Sequence, residues 1–416
     1  YWKNNRTQID FSLQKAFPSL ILTALAHSNN QNRTEYFYAL TDTNKLVCER
    51  FAKPEDHTWG WNVIAKHGLG DNYTLKYGAE GTSLRYGNSD IRQKDSTYFK
   101  VQPSDGDPDS TIRAADRYGV FLQSFLNFGK RLTATPGVRY DFYNGAERDT
   151  SFKETKFHGA SPNGGISVKT WEGGEVSVHG AYAYRFPTCP ELYWYYGGYQ
   201  LADRKELTPE RAAQVELSLH QQLSFAEKSS GTASIRGYYY HVTDYLRTIF
   251  GYQPSRLVYN INKVTLAGFE VEASLNILKY FGIRGNYTYQ RTEKTGDTYD
   301  SSMVLTRGLP ELPANKGSVA FEYRMPSGVS AGLALRIVGE RQIITGNLAQ
   351  GGKASLEHID AFVTGRLYGA YPLVSKERYA ATIKIGIDNL FNKEYEEVSG
   401  IPMPGITTTG SIEVTF

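Results

Sequence analysis

Apolar and polar residues alternate along most of this chain with a period of two. At its C-terminal end Ile412, Val414 and Phe416 are apolar, and Thr407, Thr409, Ser411, Glu413 and Thr415 are polar. Ile383, Ile385 and Ile387 alternate in the same way with Thr382, Lys384, Gly386 and Asp388. Val215, Leu217 and Leu219 alternate with Gln214, Glu216, Ser218 and His220. Successive side chains of a strand point to opposite faces, so each segment predicts a strand with one dry face and one wet face. Counting such segments gives about 17 strands. They cover 6–14, 19–28, 58–68, 72–83, 115–128, 131–143, 156–170, 175–186, 208–223, 231–249, 260–278, 280–293, 313–325, 328–341, 356–371, 378–391 and 406–416. They are roughly 9–19 residues long, and a tilted strand needs about 9–11 to cross a bilayer.

The connections alternate in length. Short ones include Lys15–Pro18, Gly68–Asp71, Gly129–Lys130, Trp171–Gly174 and Met325–Gly328. Long ones include Asn29–His57, Leu84–Ala114, Pro187–Leu207, Thr292–Leu312, Gln342–Ser355 and Asn392–Gly405. Membrane-spanning barrels sort their connections this way, with short periplasmic turns and long extracellular loops. A soluble sandwich has no reason to do so. The fold class is therefore all-β, a transmembrane antiparallel barrel, with the C-terminus periplasmic. With an odd strand number the first and last strands run the same way. Antiparallel closure then requires an odd number of further strands before Tyr1.

Composition changes this picture little. No run approaches 18 apolar residues, so spanning helices are excluded. A mean hydropathy of −0.46 suits a barrel, where alternation cancels the average. The 31 Tyr suit aromatic girdles, a binding surface, or plain strand propensity. A net charge of +3 is too small to argue for nucleic acid. Cys48 and Cys189 fall in separate long connections. An oxidising exterior would permit a disulfide there, and spacing alone does not pair them. No Gly-x-Ser-x-Gly or grouped nucleophile, base and acid is present, so an enzyme is not expected.

Ala183-Tyr184-Arg185-Phe186-Pro187-Thr188 with Glu191-Leu192-Tyr193 resembles the Arg-x-Pro…Glu-Leu-Tyr segment of the TonB-dependent receptors, plugged barrels that import scarce nutrients. Three more segments resemble that family. Leu207-Thr208-Pro209-Glu210 with Glu216 resembles its Leu-x-Pro-Glu…Glu segment. Asn260 followed by Gly268-Phe269-Glu270-Val271-Glu272 resembles its Asn…Gly-x-Glu segment. Asp388-Asn389-Leu390-Phe391-Asn392-Lys393-Glu394-Tyr395, then Pro402-Met403-Pro404-Gly405 and Phe416, resembles its C-terminal signature. Before Tyr182 the likeness is architectural only.

The resemblance implies a 22-stranded barrel, with the plug, the TonB box and the first strands N-terminal to this chain. It further implies a monomer in outer-membrane lipid. TonB and its inner-membrane energising complex would engage it through that N-terminal region. The expected ligand is a scarce metal chelate, first a ferric siderophore, with cobalamin or haem as alternatives within the family. A passive porin or a barrel enzyme is the alternative from another class.

Arg139, Arg185, Glu216, Glu270, Glu272, Arg324, Arg336 and Arg366 are expected to face the lumen and the plug, since lipid would not hold them. Tyr193, Trp194, Tyr195, Tyr196 and Tyr199 cluster on the extracellular side. They form either a substrate-binding surface or an interfacial girdle. Asp105, Asp107 and Asp109, with Asp116 eleven residues after Asp105, imitate a calcium loop. Ser110 in place of Gly and Asp116 in place of Glu favour a solvated acidic loop. No cofactor is expected apart from a structural calcium that this loop could hold.

Overall fold

The computed structural model describes residues 2–40, 46–52, 55–86, 112–148, 153–188, 191–192, 195–196, 199–200, 207–250, 256–296, 307–345, 355–376 and 379–416. At several strand ends only the backbone is described. The main sheet has nineteen strands, all paired antiparallel. Two of them belong to longer arms. Leu46–Ala52 extends the first long hairpin, and Leu132–Ala134 runs into Gly137–Arg148 across Pro136. Seventeen arms remain, one for each predicted strand.

The first eight are β1 (Trp2–Ala16), β2 (Leu20–Leu40), β3 (Glu55–Gly68), β4 (Tyr73–Tyr86), β5 (Ile112–Phe128), β6 (Gly137–Arg148), β7 (Lys153–Trp171) and β8 (Gly174–Arg185). Next come β9 (Glu210–Ala226), β10 (Ser229–Phe250), β11 (Arg256–Ile277), β12 (Phe281–Thr295) and β13 (Asn315–Arg324). The last four are β14 (Ser330–Val338), β15 (Phe362–Lys376), β16 (Tyr379–Asp388) and β17 (Thr407–Thr415). Each arm pairs with its neighbours in sequence. Among the described pairings, β1 bonds only to β2, and β17 only to β16.

The register keeps one phase apolar around the wall. Leu217 stands opposite Val178 and Gly237, and Phe269 opposite Gly237 and Tyr289. Ile385 stands opposite Gly369 and Gly410. Leu217 and Ile385 are each 56% exposed, as residues facing lipid must be when only protein is counted. The other phase carries the charges. Spin labels at Leu333 and Ile385 should therefore be relaxed by lipid-soluble oxygen. Labels at Lys384 and Arg336 should respond more to an aqueous agent. Equal accessibility at the two sets would contradict the facing.

Four expectations need correcting. Asn29–His57 is not one long loop. β2 runs to Leu40, and Leu46–Ala52 pairs back along it. The segment Asn29-Asn30-Gln31-Asn32-Arg33 is polar throughout and carries no alternation to read. The strand expected over 356–371 is broken at Asp360–Ala361, and the one over 328–341 at Gly339–Glu340. The outer pieces, Arg341–Thr345 and Ser355–Ile359, form a separate two-stranded ribbon. The strand expected to reach Phe391 ends at Asp388. There Asn389 and Asn392 take left-handed φ values of 51° and 50°, which Asn tolerates better than most residues.

Candidate functional site

Three of the four sequence motifs meet at the long-connection end of β8 to β11. β8 ends at Arg185, and the fully buried Pro187 fixes the chain's direction beyond it. Phe186 packs on Tyr143 and Phe157 at ring-centroid distances of 5.9 and 6.0 Å. A turn follows, in which the Glu191 N–H donates to the Thr188 carbonyl at 2.9 Å. The buried Glu191 carboxylate accepts from Arg185 Nη2 at 2.6 Å, the Thr188 N–H at 2.8 Å and the Thr188 hydroxyl at 2.9 Å. A buried carboxylate is tolerable only with such partners.

Glu210 opens β9, accepts from the Leu246 N–H at 3.1 Å, and lies 3.9 Å from Arg185 Nη1. Arg185 thus stands between two carboxylates. Asn260 of β11 closes the group. Its Oδ1 accepts from the Thr208 N–H at 3.0 Å, and its Nδ2 donates to the carbonyls of Thr208 at 3.0 Å and Asp244 at 2.6 Å. Asp244 has a φ of 57° and holds Arg211 with its carboxylate. Leu207, Leu246 and Val258 pack beneath, with Leu192 against them. Glu191 and Leu192 on one side and Leu207 on the other belong to this braced rim.

Below the rim the polar phase is a series of ion pairs. Arg139 Nη2 reaches Glu80 and Asp141, each at 2.6 Å, and Arg117 reaches Asp141 at 3.1 Å. To touch Glu80 on β4, the Arg139 side chain crosses β5 at Gly119. A Cβ there would lie 2.1 Å from Arg139 Nη2. Arg236 pairs with Glu270 and approaches Glu216 at 3.7 Å, and the Tyr240 hydroxyl donates to Glu216. Arg324 bonds Glu322 at 2.8 Å, with Arg284 at 3.5 Å from the same carboxylate. Arg366 faces Asp388 at 3.4 Å, and Lys384 pairs with Glu413.

The C-terminal motif is held by two asparagines. Asn389 donates to the carbonyls of Lys393 and Pro404 at 2.9 and 3.1 Å, and accepts from the Lys393 N–H at 2.9 Å. Asn392 accepts from the Ile406 N–H at 3.1 Å. The connection then folds against β14 and β15. Tyr395 packs tilted against Phe362 with ring centroids 4.4 Å apart, and Arg336 lies 5.3 Å from the Phe362 ring and bonds Glu397 at 2.5 Å. That hydrogen bond with Arg336 holds the Glu397 carboxyl below its usual range.

A family profile described as "TonB dependent receptor-like, beta-barrel" matches residues 1–390. This chain belongs to that family. The receptor barrel is 26% identical over 326 residues to a metal-pseudopaline receptor, CntO, of Pseudomonas aeruginosa (strain UCBPP-PA14), covering 74% of this chain and 41% of that protein. Among solved structures it superposes on the copper transporter OprC with a TM-score of 0.79 at 17% identity, covering 100% of this chain and 65% of that one. It superposes on the FrpB iron transporter of Neisseria meningitidis with a TM-score of 0.72 at 15% identity, covering 100% of this chain and 63% of that one. These superpositions establish the fold. The receptor barrel therefore spans under half the length of the curated relative and just under two thirds of the solved chains.

Seven of the eight charged residues expected in the receptor's lumen have ion-pair partners on the polar phase or at its rim. Glu272 stands on that phase too, opposite Ser234 and Asn286. Sequence reading missed four of the partners, Glu80, Arg236, Glu322 and Glu397. Glu80 was findable, because Lys76, Gly78, Glu80 and Thr82 keep the same phase. Glu397 lies in a connection where no periodicity exists. Tyr195-Tyr196 pairs with Tyr199-Gln200 as a small hairpin, described in its backbone only. Tyr193 and Trp194 lie outside the described residues, as do Asp105, Asp107, Asp109 and Cys189. Cys48 is described in its backbone only, within Leu46–Ala52. Asp116 sits inside β5, where it accepts from the Ser83 hydroxyl at 2.5 Å and from Arg85 at 2.9 Å.

Proposed function

We propose that this barrel is the membrane-spanning part of a receptor that takes a scarce metal chelate from outside and passes it inward under the action of TonB. The family match over residues 1–390 carries this reading. The braced rim supports it further, since the aromatic connection that follows Glu191 starts and ends on rigid structure. In the intact protein, further strands close the wall, and an N-terminal plug sits against the charged phase and carries the TonB contact. The receptor stands as a monomer in the outer membrane, with its C-terminus in the periplasm.

A ferric siderophore is the first substrate class. A second reading is a chelate of another metal, favoured by the likeness to a metal-pseudopaline receptor. A binding screen of the full-length protein against ferric siderophores, copper chelates, haem and cobalamin decides among these. If none binds, the reading fails.

The aromatic connection is proposed to contact the ligand. Buried aromatic contacts are common hot spots of recognition, at about 2 kcal/mol or more. Replacing both Tyr195 and Tyr196 by Ala in the full-length receptor is expected to weaken chelate binding by at least about tenfold, which needs only about 1.4 kcal/mol. Thermal stability should hardly move, because loop tips carry little strand bonding. Unchanged affinity with lowered stability would make these rings interfacial anchors.

A further inference from the structure

A cavity of about 580 Å³ opens at the long-connection end, between the ribbon ending at Ile359 and the connection that follows Asn392. Pockets of roughly 300–1,000 Å³ with apolar and aromatic linings and a few converging polar groups are those that hold small molecules. Here Ile359, Phe362, Pro402 and Met403 supply apolar surface, and the Tyr395 ring stands beside Phe362. Arg336 braces Phe362, and Met403 donates its N–H to the Tyr395 carbonyl at 2.9 Å. The aromatic part of the wall is therefore fixed from outside by Arg336 and within the lining by the Met403–Tyr395 hydrogen bond.

The charges of this cavity differ from those along the wall below. Glu80, Asp141, Glu216, Glu270, Glu322, Asp388 and Glu413 each face a cation on a strand. Asp360 and Glu394 line the cavity, and among the described residues neither carboxylate has a hydrogen-bond or ion-pair partner. A third lining residue, Glu396, accepts from the Gly400 N–H on its carboxylate at 2.9 Å and from Arg341 Nη2 on its carbonyl at 2.8 Å. Lys393 is the single lining cation. The His358 ring is held by Glu340 at 2.5 Å. Carboxylates in excess, in a concavity that focuses their field, attract a positive group. An aromatic face beside them adds attraction for the same group.

We propose that this cavity binds an organic cation, a protonated amine carried on a planar or apolar body. The ammonium sits between Asp360 and Glu394, and the body lies against Tyr395 and Met403. The proposal rests on the transport reading only in taking this end as the side where ligands arrive. For the chelate, it means that a ligand with a free amine has a specific place to put it.

The test uses the full-length receptor in detergent and two small probes with the same ring and opposite charge. Tyramine is the cation and 3-(4-hydroxyphenyl)propionate the anion, each titrated calorimetrically. Tyramine is expected to bind at least about tenfold more tightly than the propionate. The isosteric double variant Asp360→Asn/Glu394→Gln is expected to lose at least that factor for tyramine, and Tyr395→Ala to weaken it as well. The amide variants preserve shape, and unchanged heat-modifiable migration on gels confirms that the barrel is intact. No tyramine binding, equal binding of the two probes, or tyramine affinity untouched by the amide variants would each overturn the proposal. A receptor that binds tyramine here but no metal chelate sinks the transport reading and leaves the cavity standing. The reverse result sinks only the cavity.

Discussion

Leu217→Arg is expected to destabilise the bilayer-inserted barrel by about 2–4 kcal/mol, the cost of a cation on the lipid face near the midplane. Leu217 is the eighth residue of the 17-residue β9, so it lies near the middle of its arm. It is on the apolar phase, between Val178 and Gly237. Its neighbour Glu216 points the other way, where it accepts from Tyr240 and lies 3.7 Å from Arg236. Glu216→Gln keeps an acceptor for Tyr240 and loses a partly solvated charge contact, at about 0–1 kcal/mol. Adjacent residues thus differ several-fold in cost because a strand turns alternate side chains to opposite media. Equilibrium urea unfolding of the full-length protein in lipid vesicles measures both. Equal costs would mean that β9 is assigned the wrong way round.

Glu191→Ala is expected to open the rim locally by about 2–3 kcal/mol. Removing one partner of a buried ion pair costs about 3–5 kcal/mol, but Arg185 is 43% exposed, and water screens part of that loss. What remains is an Arg185 with one carboxylate 3.9 Å away and a Thr188 N–H without its acceptor. Amide exchange at Thr188 and Leu192 should accelerate by roughly 30–150-fold, as about 1.4 kcal/mol corresponds to tenfold. Amides in the middle of β9 should not change. Glu191→Gln retains an acceptor for Thr188 and should fall between the two. Exchange at Thr188 unchanged by the alanine variant would show that Glu191 does not hold the turn.

The arms were legible because lipid lies on one side and a polar lumen on the other, and that contrast writes a period of two into the sequence. Where both sides are wet the contrast vanishes, and Asn29–Arg33 shows the consequence: a strand that continues through residues with no pattern. The breaks at Gly339–Glu340 and Asp360–Ala361 did leave a mark. The period of two that holds from Ala331 to Ile337 is lost in Ile343-Ile344, and Leu356-Glu357-His358-Ile359 does not keep it either, because these outer pieces no longer separate a dry face from a wet one. The rim was half legible. Arg185, Glu191, Glu210 and Asn260 stood out as members of motifs, but nothing in their spacing said that Arg185 would stand between two carboxylates, or that Asn260 would reach Thr208. Those contacts depend on which strands are neighbours, and neighbours are set by the meander.

The crossing of Arg139 over β5 ties three positions on three different strands into one heritable unit. Glu80, Gly119 and Arg139 are each ordinary alone, yet any side chain at Gly119 would occupy the space through which Arg139 reaches Glu80. A lineage that acquired alanine there would leave Glu80 without its cation, so a change at Glu80 would then cost less than before. The order in which such changes arise would matter, and descendants should carry either the whole set or none of it.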